Sequence, residues 1–273
     1  MPLHRLATAP EGPDTLPPLV IAHGLFGSAR NWGGLAKRCA AAGRRVVAVD
    51  MRNHGDSFRD PANRYADMAA DLAEVLREEG GEADLLGHSM GGKAAMALAL
   101  SDAGALRRLI VADIAPVAYA HTHQPYIDAM RAVDLSAVSR RSEADRALAD
   151  GVPDRALRAF LLQSLAVGPV RAPRAVLPHF LAVGPEGARW KLNLDALSAN
   201  MADILDWPPI AGAWSGPALF LAGGASDYLT DAHHLGVRRL FPSAHFATVP
   251  GAGQWLHAEA PGPFAEAVGA FLG

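Results

Sequence analysis

The residues best placed for covalent chemistry are Gly87-His88-Ser89-Met90-Gly91, a G-x-S-x-G sequence between the apolar run Asp84-Leu85-Leu86 and the helix former Ala94-Ala95-Met96-Ala97-Leu98. A strand that turns this sharply into a helix forces the serine into a strained backbone conformation and brings the flanking chain into near contact. Residues two away must therefore lack bulk, and Gly87 and Gly91 meet that demand. The strain lifts the Ser89 hydroxyl clear of the sheet, and the helix behind it aims unpaired N–H groups at the same point, suited to a developing oxyanion. A second loop, His23-Gly24-Leu25-Phe26-Gly27-Ser28, follows the apolar run Leu19-Val20-Ile21-Ala22. Its glycines let backbone donors face outward, so Leu25, with Phe26 as the alternative, pairs with Met90 as a prospective oxyanion hole. Phosphate-binding loops are excluded, because Lys93 is followed by alanine and no G-x-G pair leads the turn.

Elements that could position these residues alternate along the chain. Strands are predicted at Leu3 to Ala9, Leu19 to Ala22, Arg45 to Asp50, Asp84 to Leu86, Leu106 to Asp113, Pro217 to Ala222 and His245 to Val249. An amphipathic helix repeats Tyr65, Met68, Ala69, Leu72, Val75 and Leu76 at spacings of three and four, and a closing helix presents Phe264, Val268, Phe271 and Leu272. This alternation predicts an α/β fold: a mostly parallel sheet of about eight strands with helices on both faces and ligands bound beyond the strand C-termini. From Pro116 to Gly212 the pattern breaks into short helical pieces, at about 125–133, 143–148, 154–166, 172–182 and 194–204. The chain thus divides into a core of residues 1–115 and 213–273 and an inserted helical cap, 116–212. Phe160, Leu161, Leu162, Phe180, Leu181 and Trp207 read as cap core, with a minority lining an apolar pocket. In the loop Met51 to Ser57, Arg52 and His54 read as donors bracing backbone carbonyls.

Composition narrows the function classes. A length of 273 residues, half of them hydrophobic, suffices for one large core, and the apolar runs are all too short to span a membrane. Net charge is −3 with a pI near 6.4, without the basic footprint of a nucleic-acid binder. The cap carries ten basic and ten acidic residues, so it does not argue for an anionic substrate. Cys39 alone makes neither a disulfide framework nor a cysteine metal site. His121 and His123 lack further ligands nearby in sequence and read as solvent-exposed, so neither metal nor organic cofactor is expected. Residues 1–18 show no charged-then-apolar leader, which predicts a cytoplasmic protein.

Taken together, HGLFGS, DMRNHGDS, GHSMGGKAAMALAL, DIAP and GGASDYL resemble the α/β-hydrolase family, and within it the YbfF-type bacterial esterases and their mitochondrial relatives. The resemblance implies hydrolysis of carboxylic esters or thioesters through an acyl-Ser89 intermediate; an aspartate at position 89 would have implied a dehalogenase or epoxide hydrolase. It also implies a general-base histidine in a Gly-His-Trp sequence of the last loop. Here Gly253-Gln254-Trp255 stands instead, whether by deliberate replacement or natural loss. An amide has no basic nitrogen, so it cannot accept the serine proton and return it to a leaving group. His257, three residues on, is the substitute base to consider, although relatives resembling this chain carry a histidine there in addition to the catalytic one. For the acid, Asp113 matches the subgroup's position, 24 residues beyond Ser89, and is preferred; Asp227 sits where most of the family places it, and the subgroup has a serine in that loop, here Ser226. The rival expectation is a non-catalytic small-molecule binder on the same scaffold, and acyl transfer to an alcohol or amine would use the same residues.

Overall fold

The computed structural model describes residues 1–168 and 187–273. Seven strands form one sheet: β1 (Arg5–Thr8), β2 (Leu16–Ala22), β3 (Arg44–Val49), β4 (Ala83–His88), β5 (Leu106–Ala112), β8 (Ala218–Gly223) and β9 (Ala244–Val249), in the order β1-β3-β2-β4-β5-β8-β9. Only β1 runs antiparallel to its neighbour; every other pairing is parallel. Successive side chains point to opposite faces, so the apolar runs supply two cores at once. Val20, Val47, Leu85, Leu109 and Val111 pack beneath α2 (Tyr65–Glu78) and α3 (Met90–Ser101). Leu19, Ile21, Val46, Leu86 and Ile110 face α1 (Gly33–Ala41) and α11 (Pro261–Leu272). The strand order reverses between β2 and β4, and the crevice such a reversal leaves beyond the strand C-termini is where ligands bind in open α/β sheets.

The sheet thus has seven strands, close to the eight expected from the sequence. Between β5 and β8 the described chain contains α4 (Gln124–Ala132), α5 (Arg141–Leu148), α6 (Arg155–Leu161), α7 (Leu194–Ala199) and α8 (Met201–Leu205). The helix expected over 154–166 stops early, because Leu165–Val167 (β6) pairs antiparallel with Ala188–Trp190 (β7); three-residue strands give no usable periodicity in sequence. The helix expected over 194–204 breaks at Asn200, whose side-chain amide donates to Pro61 O at 2.8 Å and so ties this segment to the core. The helix expected at 172–182, with Phe180 and Leu181, lies outside the described residues. After β8, α9 (Asp231–Leu240) leads to β9, and α10 (Leu256–Glu259) precedes α11. Among the described residues no helix is long and apolar enough to cross a membrane.

Candidate active site

Ser89 ends β4 at φ 51°, ψ −118°, in the left-handed region that favours glycine, and α3 begins at the next residue. The turn is possible only because its flanks are glycines. A Cβ on Gly87 would lie 2.3 Å from Gly91 O, and one on Gly91 would lie 2.5 Å from both Ala22 O and His23 O. These are backbone atoms of the turn itself and of β2 and its following loop, which cannot move aside. We therefore expect Gly91→Ala to destabilise the fold by more than about 3 kcal/mol, the upper range for overpacking. By contrast Gly34→Ala in α1, where an added Cβ meets nothing within 4 Å, should stabilise by up to about 1 kcal/mol. Denaturant midpoints of the two variants test the pair.

Two further strand ends converge on Ser89. The loop after β2 is held by buried imidazoles: Met51 N–H donates to His23 Nε2 at 3.0 Å, and Phe26 N–H donates to His54 Nε2 at 3.2 Å. Phe26, itself at φ 64°, thus has its N–H engaged, whereas the Leu25 N–H has no hydrogen-bond partner among the described residues. Burial, reinforced by the neighbouring His23, pushes His54 down to about 3, which keeps Nε2 an acceptor. Arg52 donates to both carboxylate oxygens of Asp71, at 2.6 and 2.8 Å, and to Ala62 O and Asp67 O; it braces the loop and does not reach the site.

Asp113, just past β5, is fully buried at φ 51°. Gly223 N–H and the Ser226 hydroxyl donate to its two carboxylate oxygens, at 3.0 and 2.5 Å. Burial pushes its carboxyl up to about 6, with those two hydrogen bonds opposing. Asp227 is exposed, and its side chain makes no hydrogen bond among the described residues.

Gln254 completes the group. Its Nε2 donates to Ser89 Oγ at 3.3 Å, and its backbone carbonyl accepts from His88 Nε2 at 2.8 Å. Glu259 fixes the loop on either side, accepting from Gly253 N–H at 2.6 Å and Trp255 N–H at 3.2 Å. Ala225 N–H donates to Ala252 O at 2.8 Å, so the loop that serves Asp113 is bonded to the one that carries Gln254. His257 does not contact Ser89 by hydrogen bond. It is stacked on Trp32, with ring centroids 4.2 Å apart, its Nδ1 is unpartnered, and burial pushes it down to about 3.

These residues open onto a cavity of about 260 Å³ whose wall includes Phe26, Trp32, Tyr126, Phe160, Tyr228 and Trp255. Phe160 therefore faces the cavity, its ring centroid 5.3 Å from that of Trp255, as one of the minority expected to line a pocket. His121 is exposed as expected, but His123 is half-buried and lines the cavity with its imidazole pushed by burial down to about 4. Tyr228, which sequence reasoning missed, lines the cavity beside Gln254 and places its hydroxyl 2.6 Å from His121 Nε2. Elsewhere His4, Asp50 and Asp56 bring three possible metal-ligand atoms within 4.8 Å of one another, but His4 Nδ1 bonds Asp50 and Lys191 pairs with Asp56, which accounts for their approach without an ion.

Residues 19–267 of the chain match the model of the α/β-hydrolase family. The chain belongs to the α/β-hydrolase family. Among curated relatives it is 41% identical to the sn-1-specific diacylglycerol lipase ABHD11 of Mus musculus over 272 residues, covering 96% of this chain and 83% of that protein. It is 35% identical to the esterase YbfF of Escherichia coli K12 over 257 residues, covering 93% and 92%. A solved structure described as a marine microorganism esterase superposes with a TM-score of 0.86 at 33% identity, covering 99% of both chains. The family relationship and the YbfF-like character expected from the sequence are thus both found.

Proposed function

We propose that this protein is a serine ester hydrolase whose turnover is limited by the residue at position 254. The substrate class is short to medium acyl esters or thioesters. In this reading Ser89 Oγ attacks the carbonyl carbon, the carbonyl oxygen takes the electron pair as an oxyanion held by the Leu25 and Met90 N–H groups, and the alcohol or thiol leaves from the acyl-Ser89 ester. Water then attacks that ester and frees the acid. Both halves need a group that accepts a proton and returns it, and Asp113 would orient an imidazole doing so. Residues 116–212 serve as the cap over the pocket. The observation that carries the reading is the Ser89 Oγ facing a 260 Å³ cavity with an amide nitrogen, 3.3 Å away, where a base is needed.

One observation favours a second reading, a non-catalytic binder of small molecules. Gln254 donates to Ser89 Oγ, which leaves the hydroxyl hydrogen free to bond a ligand. Intact-protein mass spectrometry after exposure to a panel of p-nitrophenyl esters separates the two. A weakened base should slow release of the acyl group, so a lasting adduct on Ser89, absent from Ser89→Ala, is expected, and its mass names the acyl group taken. No adduct and no p-nitrophenol release, together with a ligand-induced rise in melting temperature, would replace the hydrolase by the binder. Release of p-nitrophenol that speeds up when an alcohol or amine is added would point to acyl transfer.

A further inference from the structure

Helix α3 is built from small and apolar residues except for Lys93 and Ser101. Lys93 lies one turn beyond Ser89, to whose carbonyl its N–H donates at 3.0 Å, and its side chain is only 1% exposed. Taking an ammonium out of water is costly unless its donors are met by well-placed acceptors. Here Nζ donates to Leu205 O at 2.9 Å and Asp206 O at 2.7 Å, the carbonyls at the end of α8. Such a helix end carries partial negative charge that a cation stabilises. The rings of Tyr119 and Tyr65 lie 4.8 and 5.7 Å from Nζ, within cation–π range. Those same tyrosines hold the same turn: Tyr65 O–H donates to Ile204 O at 2.5 Å, and Tyr119 N–H to Leu205 O at 3.0 Å. Burial pushes the ammonium down to about 7, with the Asp206 charge opposing.

The consequence falls on the space around Ser89. The void bounded by Leu25, Ser89, Met90, Lys93, Tyr119 and Leu205 is only about 20 Å³, room for roughly one water. The 260 Å³ cavity also borders Ser89, and extends along Trp32, Phe160 and Trp255, none of which borders the small void. We propose that Lys93 is a specificity-determining residue, a latch that ties the Leu205–Asp206 turn of the cap to the nucleophile helix and keeps that side of the cleft closed to all but the smallest group. The larger part of an ester is thereby directed into the other cavity. This assignment of substrate shape rests on the hydrolase reading; the latch itself does not.

Two measurements keep these apart. Hydrogen exchange on the chain as it stands and on Lys93→Met reads the latch alone. Faster exchange at Tyr119 and at residues 204–207 is expected, with β4 unchanged; equal exchange in both proteins overturns the latch. Lys93→Met replaces the buried ammonium with an apolar chain of similar length and leaves the Leu205 and Asp206 carbonyls without that donor, which is the loosening the exchange reads. If it nonetheless fails to fold, Lys93→Gln, with its shorter reach, takes its place. Specificity is read in the Gln254→His background with two ester series, one lengthening the acyl group of p-nitrophenyl esters and one enlarging the alcohol of acetate esters. In one series the kcat/KM ratio of the largest to the smallest member should rise about tenfold on Lys93→Met, chiefly through KM, and return to the starting value in Lys93→Arg, which retains the donors. Unchanged ratios in both series, or an equal fall for every ester, overturn the specificity role. Failure of every variant to cleave any ester strikes the hydrolase reading, and with it the assignment of substrate shape, while exchange still decides the latch.

Discussion

Gln254→His should raise the rate of p-nitrophenyl acetate hydrolysis by about a hundred-fold or more, the usual range for gaining a positioned general base. Position 254 is already held beside the nucleophile. Ser89 Oγ is 3.3 Å from the present amide nitrogen, and the loop is fixed on both sides of position 254 by Glu259. The difference the substitution makes is chemical: an amide nitrogen carries its hydrogens toward Ser89 and has no lone pair basic enough to remove one. A hundred-fold is about 2.7 kcal/mol of barrier, and a larger gain follows if base and acid act as a unit. Among the described residues, no histidine hydrogen-bonds Ser89 Oγ. His257 is stacked on Trp32 and kept neutral by burial, and His88 gives its Nε2 proton to the Gln254 carbonyl. Parent and variant rates measured side by side decide the matter, and comparable rates would remove position 254 from the mechanism.

What the sequence made legible follows the range of the interactions concerned. The corner at Ser89 could be read because its constraints are local: two glycines two residues away and a change from strand to helix periodicity. Gly87 shows why the reading holds, since a Cβ there would lie 2.3 Å from Gly91 O, only four residues on. The seven strands were visible as apolar runs for the same reason. Residues whose roles depend on chain segments far apart were not. His54 takes the Phe26 N–H across 28 positions, which leaves Leu25 as the loop's unengaged donor, and nothing in HGLFGS distinguishes the two. Phe160 and His123 reach the cavity only through the path of the segment after β5, which no local pattern encodes. Lys93 left a signal that can be used elsewhere: a single charge in the fully apolar run from Met90 to Leu100 must be buried, and a buried lysine needs named partners.

The second large effect concerns the carboxylate that would orient an imidazole introduced at position 254. In the Gln254→His background, Asp113→Asn should lower kcat/KM by about a hundred-fold or more, because an amide there no longer stabilises the imidazolium or selects its tautomer. Asp227→Asn should change it by less than about threefold, since that side chain is exposed and makes no hydrogen bond among the described residues. Burial and bonding point the same way. Asp113 is sealed behind the pocket wall with one oxygen on Gly223 N–H and the other on Ser226, in the loop bonded to the one that carries position 254. The same burial gives a stability signature in the chain as it stands. Between the free value of 3.8 and the folded value of about 6, folded Asp113 retains a proton that the unfolded chain has released. The contribution of this group to stability is therefore fully present below about pH 4 and is lost as the pH rises through about 6. Asp113→Asn removes that slope. Urea midpoints of both proteins at pH 4, 5, 6 and 7 measure it, and parallel profiles would mean that Asp113 titrates as an ordinary carboxylate. A larger kinetic loss for Asp227→Asn than for Asp113→Asn would transfer the orienting role to the loop after β8.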